Sequence, residues 1–232
     1  MPVHRIETHA HTRTISPCSR LAPPELVALY EDAGYSALVV TDHLVATLPA
    51  FRGVRSWGDR VRRFFEGYRM ANEAAGGTDL VVLPGFELTL STQPGRDFLV
   101  YGIGEELLCD FPDIVDLDLQ TFKRLANSVG GVVFQAHPYR YTTPVDPSLV
   151  DGVEVLNACP RHESNNDLAA AFAEEHDLHR VAGSDAHRRE DVGRAGIGLP
   201  EAPRTSEELV HWLRDAPGEV QILSATRLLR GR

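Results

Sequence analysis

Ile6-Glu7-Thr8-His9-Ala10-His11-Thr12 is the stretch whose reading decides the fold. In a strand over residues 3–9, alternate side chains leave the same face, so His9 and His11 project together. Two imidazoles on one face deliver two nitrogen ligands to one metal ion. An isolated pair of this kind also arises from surface polarity. What tilts the reading toward metal is that several later strand-like runs also end in His, Asp or Glu.

Those runs are short, apolar and bounded by polar residues, the pattern of strands buried on both faces of a parallel sheet. They span 37–43, 79–87, 98–101, 131–137, 152–157 and 179–187, and with the first strand they make seven. Helical patterns lie between most of them. Pro23-Pro24 opens one, with Leu26, Val27, Tyr30 and Ala33 apolar and Gly34 at its close. Trp57, Val61, Phe64, Phe65 and Tyr68 keep helical spacing and leave Arg60, Arg62 and Arg63 on a solvated face. Further helices follow through Phe122, Leu125, Ala126 and Val129, through Leu168, Phe172 and Ala173, and after the capping-box spacing of Thr205-Ser206-Glu207-Glu208. Strands alternating with helices give an α/β fold with a parallel sheet. An open sheet gathers ligands at one switch point, whereas a barrel brings many strand ends to one axis. The candidates sit at the ends of strands one, two, three, five and seven, which favours a closed barrel, expected as one domain over residues 1–232.

A chain of 232 residues, 43% hydrophobic, can bury one sizeable core. Neither a signal-peptide core nor a run of about 18 apolar residues is present, so the expectation is a soluble, cytoplasmic protein without membrane contact. Cys18, Cys109 and Cys159 are odd in number and widely spaced, against a disulfide framework. A net charge of −10 disfavours nucleic acid as partner. Lys123 is the sole lysine and falls in a helical stretch, which argues against Schiff-base or carbamylated-lysine chemistry.

Singly, each candidate ligand has an ordinary explanation. Asp42-His43 suits a helix cap, His137 before Pro138 suits a turn, and Glu87 could pair with any arginine. Asp185-Ala186-His187, however, repeats the spacing of the first pair. Five histidines and two carboxylates converging on a barrel axis need compensation, and divalent cations supply it.

Through His9-Ala10-His11, Thr41-Asp42-His43, Gly85-Phe86-Glu87, Ala136-His137-Pro138 and Gly183-Ser184-Asp185-Ala186-His187, the chain resembles the polymerase and histidinol phosphatase (PHP) family over essentially its whole length. The resemblance implies a distorted seven-stranded (β/α)7 TIM-like barrel, two or three divalent ions such as Mn, Zn or Fe, and phosphoester hydrolysis. It implies that His9, His11, Glu87 and Asp185 hold a first metal, that Glu87 bridges to a second held by His137, and that His43 and His187 hold a third. Glu7 stands where the family often has Asp and is expected beside the ligands. Asp97 is the nearest polar residue where many members carry a histidine. Cys18 is the one strong ligand in a loop where the family usually places His or Asp.

Arg161 corresponds to an arginine that commonly meets substrate phosphate; a surface salt bridge to Glu163 is the alternative, and Arg140 and Arg188 are further candidates at the same mouth. The expected chemistry is phosphatase action on a small phosphomonoester or nucleotide by a metal-activated hydroxide, with Glu87, Asp185 and His187 as the catalytic set. Ser184 lies outside a nucleophile elbow and reads as structural. A phosphodiesterase or exonuclease of short nucleic acids, and a non-catalytic metal-binding module, are the rival readings. Oligomeric state is not legible.

Overall fold

Apolar runs too short for helices pair edge to edge in the computed structural model, which describes residues 3–112 and 114–224. The strands are β1 (His4–Ala10), β2 (Ala37–Val40), β3 (His43–Leu44), β4 (Val81–Leu88), β5 (Phe98–Tyr101), β6 (Val132–Gln135), β7 (Gly152–Asn157), β8 (His179–Gly183), β9 (Ala195–Leu199) and β10 (Gln221–Ser224). Their order is β10-β9-β1-β2-β4-β5-β6-β7-β8, with β3 paired to β4. The sheet curls until its ends meet. Ala10 bridges Ala186, and the His11 amide donates to the Ala186 carbonyl at 3.0 Å. Thr8 Oγ1 donates to the Ala182 carbonyl at 2.8 Å. The residues just past β8 therefore lie beside the end of β1, which brings Asp185 and His187 to His9 and His11.

The barrel is borne out, and its strand plan is corrected in three places. β5 runs antiparallel to both β4 and β6, because the segment 89–97 is too short for a helical crossover. The run over 37–43 splits into β2 and β3 where Asp42 turns to accept from the Thr12 amide and Thr12 hydroxyl, each at 2.7 Å, and from Ser16 Oγ at 2.6 Å. β9 and β10 add an antiparallel pair beside the start of β1, so the described residues hold ten strands rather than seven.

The helices are α1 (Pro23–Asp32), α2 (Trp57–Phe64), α3 (Glu66–Ala74), α4 (Glu105–Cys109), α5 (Leu119–Ser128), α6 (Asn166–Glu175) and α7 (Ser206–Arg214). Gly34 closes α1 at φ +75, a conformation costly for any other residue. The single helix expected across Trp57 to Tyr68 is two, parted at Phe65, whose ψ of 3 interrupts the α ladder. Thr205 caps α7 by accepting from the Glu208 amide at 3.2 Å, while Glu208 returns to the Arg204 amide rather than to Thr205. Lys123 on α5 pairs with Asp151 and Asn127, away from any reactive role. Among the described residues no helix is long and apolar enough to cross a membrane.

Closure depends on a close backbone approach at Gly183, where a Cβ would stand 2.3 Å from His9 Cβ and 3.0 Å from both the His9 nitrogen and Glu7 Oε1. Gly183→Ala must push β8 from β1. It should cost about 1–3 kcal/mol in urea unfolding, and a midpoint equal to that of the wild type would show that the two strands are not tightly apposed.

Candidate metal centre

Strand alternation puts His9 and His11 on one face at the end of β1, and both are fully buried. His9 Nε2 lies 3.3 Å from Glu87 Oε2 and 3.6 Å from Asp185 Oδ1. His11 Nε2 lies 3.4 Å and 3.3 Å from the same two oxygens. These separations are long for charge-assisted hydrogen bonds. Indeed His9 Nε2 and His11 Nε2 are buried without a hydrogen-bond partner. Leaving such atoms unsatisfied costs about 1–3 kcal/mol each. An ion held about 2.1 Å from four tetrahedral donors sets those donors about 3.4 Å apart. The four imidazole-to-carboxylate separations lie near that spacing, and His9, His11 and Asp185 bring ligand atoms within 4.8 Å of one another, a set whose chemistry fits a cation.

Two further donor groups adjoin this one. His9, Glu87 and His137 form one, and His11, His43 and His187 the other, with the ligand atoms of each group within 4.8 Å of one another. Glu87 is common to both sides: Oε1 faces His137 Nε2 at 3.0 Å and Oε2 faces His43 Nδ1 at 2.9 Å. Cys18 is exposed at the rim, its Sγ 3.2 Å from His187 Nε2. Asp97 belongs to none of these groups among the described residues; its Oδ1 accepts from Thr89 Oγ1 at 2.6 Å.

The backbone is bent to present these donors. His137 (φ 28) and Asp185 (φ 49) both adopt left-handed conformations that non-glycine residues rarely occupy. Glu154 helps hold the first by accepting from the His137 amide at 3.0 Å. It also meets His9 Nδ1 at 2.9 Å, leaving His9 Nε2 free toward Glu87 and Asp185. Asn157 links the arrangement, donating to Glu154 Oε2 at 3.0 Å and to Asp185 Oδ2 at 3.3 Å. Glu154 and Asn157, which motif reading passes over, are the residues that hold the candidate donors in place. The available signal for Glu154 is a carboxylate inside the otherwise apolar run Gly152-Val153-Glu154-Val155.

Burial opposes charge on Glu87, yet His43, His9 and a hydrogen bond from His137 outweigh it and hold its carboxyl well below the usual range. Asp185 is likewise held low, its burial outweighed by His9, His11 and His187. Both are therefore ionised and able to receive a cation. Glu7 differs. Burial raises it to about 7 against hydrogen bonds from Ser184, Tyr30 and the His9 amide, and it holds β1 to β8 rather than facing the donor cluster.

The three candidate arginines are all engaged. Arg140 Nη2 donates to Asp185 Oδ2 at 2.8 Å and to Asn157 Oδ1 at 2.6 Å. Arg161 forks onto buried Asp191 at 2.6 and 2.7 Å, not onto Glu163. Asp191 in turn accepts from the amides of His187 and Arg188 and so fixes the loop after β8. Arg188 is the loosest, 3.9 Å from Glu190. Ser184 is fully buried and pinned to Ala195 and Arg194, as a structural residue should be.

Residues 163–216 match the family model described as PHP-associated. No curated protein matches the chain in sequence. Among solved structures, the chain is similar to a two-domain protein from Bacteroides vulgatus described as containing a predicted PHP-like metal-dependent phosphoesterase, at 18% identity, TM-score 0.67, covering 99% of this chain and 68% of that one. It is similar to PsfC from Pseudomonas syringae at 20% identity and TM-score 0.68, over 99% and 95% of the two chains. It is also similar to the lesion-specific endonuclease EndoQ of Pyrococcus furiosus at 13% identity and TM-score 0.63, over 95% of this chain and 58% of that one. At these identities the likeness is one of fold. The resemblance carried by the motifs is thereby supported over part of the chain by the family model and over nearly all of it by the fold.

Glu154→Gln should keep the strand and remove the charge that orients His9. Metal affinity, titrated on protein stripped of ions, should fall roughly 10- to 100-fold with the circular dichroism spectrum retained; unaltered affinity would free His9 from dependence on Glu154.

Proposed function

We infer that this chain, with its PHP-type barrel and PHP-associated segment, is a metal-dependent phosphoesterase hydrolysing a small phosphomonoester or nucleotide. The carrying observation is the convergence of the buried, unpartnered His9 Nε2 and His11 Nε2 with Glu87 Oε2 and Asp185 Oδ1. His9, His11, Glu87 and Asp185 would hold one ion, Glu87 and His137 a second, and His43, His187 and Cys18 a third. Divalent Mn, Zn or Fe bound there would supply Lewis acidity toward a phosphoryl oxygen and lower the pKa of water.

The protein's own groups prepare that chemistry. Glu87 offers one oxygen to each side, which suits a bridging role. Asp185 has Oδ2 tied to Arg140 and Asn157, so Oδ1 is left for the cation. His187 Nδ1 is steadied by the Asp185 carbonyl at 3.0 Å, which aims Nε2 at Cys18. Burial opposes thiolate formation at Cys18, but His187 and His43 outweigh it and lower the thiol to about 6. A thiolate beside two imidazoles favours Zn or Fe over Mg. With Ser184 buried and pinned, water is the nucleophile. Arg188, loosely held, is the arginine best placed to turn toward phosphate; Arg140 and Arg161 act through Asp185 and Asp191 unless they exchange those partners for substrate.

The test is a screen of Mn- or Zn-reconstituted protein against phosphomonoesters, phosphodiesters and short oligonucleotides. Monoester release is expected, with Glu87→Ala reduced to background and Cys18→Ser carrying about one ion fewer per chain by elemental analysis. Cleavage of diesters alone would make the protein a phosphodiesterase. Absence of turnover with full metal content would make it a binding module, and wild-type turnover by Glu87→Ala would remove Glu87 from the site.

A further inference from the structure

Tyr141 is the most exposed large apolar side chain among the described residues, at 74%. It is nonetheless fixed in place. Its hydroxyl and His162 Nδ1 share a hydrogen bond at 2.7 Å, and the two rings meet edge to face with centroids 5.9 Å apart at 80°. The residues come from the loops that follow β6 and β7. Asn165 Nδ2 donates to the Tyr139 carbonyl at 2.9 Å and Arg140 Nε to Ser164 Oγ at 3.3 Å, so the two loops are tied next to the pair. Each ring is next in the chain to an arginine anchored beneath the mouth: Arg140 on Asp185, and Arg161 on Asp191. Arg140, next in the chain to Tyr141, reaches Asp185 Oδ2 at 2.8 Å, which ties this loop to the donor cluster.

Beyond its contact with His162, the Tyr141 ring stands mostly in water. Because its orientation is already fixed, a flat partner can stack on it with little further loss of freedom. We propose that Tyr141, steadied by His162, is a specificity platform that selects phosphomonoesters whose leaving group carries a planar ring, as in a nucleoside monophosphate. The proposal rests on the phosphoesterase reading, with the phosphate at the donor cluster and the ring on Tyr141.

The test compares metal-reconstituted wild type, Tyr141→Ala and Tyr141→Phe with two probes, adenosine 5′-monophosphate and glycerol 3-phosphate, by kcat and KM and by calorimetric binding. The wild type should prefer the nucleotide. In Tyr141→Ala the ratio of kcat/KM for the nucleotide over glycerol 3-phosphate should fall about tenfold, chiefly through KM, while Tyr141→Phe, which keeps the ring, should retain most of the preference. The platform is overturned if the wild type does not discriminate, if Tyr141→Ala slows both probes alike, or if Tyr141→Phe loses as much as Tyr141→Ala. Should neither probe be turned over, the wider substrate screen decides the phosphoesterase reading separately and binding decides the platform: tighter nucleotide binding that Tyr141→Ala abolishes upholds it, and equal binding of the two probes rejects it.

Discussion

Buried lone pairs and negative charge crowded at one end of a barrel are the constraint on which the rest of this structure depends. Glu87, Asp185 and Glu154 are at most 2% exposed, and His9 and His11 are fully buried beside them. In a low-dielectric interior such a cluster is unfavourable unless opposite charge is supplied. Histidine protonation meets part of the need, because Glu154, Glu87 and Asp185 raise His9 well above its ordinary range despite burial. It cannot meet all of it: burial and the neighbouring His187 and His43 push His11 well below its ordinary range. Neutral His11 offers a lone pair where a cation is wanted.

The fold serves this cluster through contacts that are individually ordinary. Thr8 stitches β1 to β8, His11 and Ala186 join the residues just past the two strands, and Asp42 gathers Thr12 and Ser16 under the same loop. Gly67 on α3 packs against that loop so closely that a Cβ would stand 2.5 Å from Thr12 Oγ1. Ligand geometry and barrel closure are therefore one problem, since a slip of β1 against β8 would separate His9 from Asp185. Arg140 and Asp191 extend the same logic outward, fixing the Asp185 carboxylate and the loop that carries His187.

Much of this was legible in the sequence where a local pattern carries it. His9-Ala10-His11 and Asp185-Ala186-His187 announce themselves because alternation along an extended chain has a period of two. Strand β9 was not legible, because Gly196 and Gly198 erase the apolar alternation. Gly196 is required by a close approach, since a Cβ there would stand 2.5 Å from the Ile6 carbonyl oxygen. The direction of β5 depends on a connection length rather than on the strand's own residues. Glu154 and the Arg161–Asp191 pair were missed because their meaning lies in partners far away in the chain, His9 and the loop after β8, which only the closed barrel brings near.

The most direct test of the account is anomalous X-ray diffraction from crystals of Zn- or Mn-reconstituted protein, collected on either side of the metal's absorption edge. The account predicts a strong peak bounded by His9, His11, Glu87 and Asp185, with further density between Glu87 and His137 or beside His43 and His187. A map without a peak among those side chains, from protein that binds no metal in solution, would contradict it.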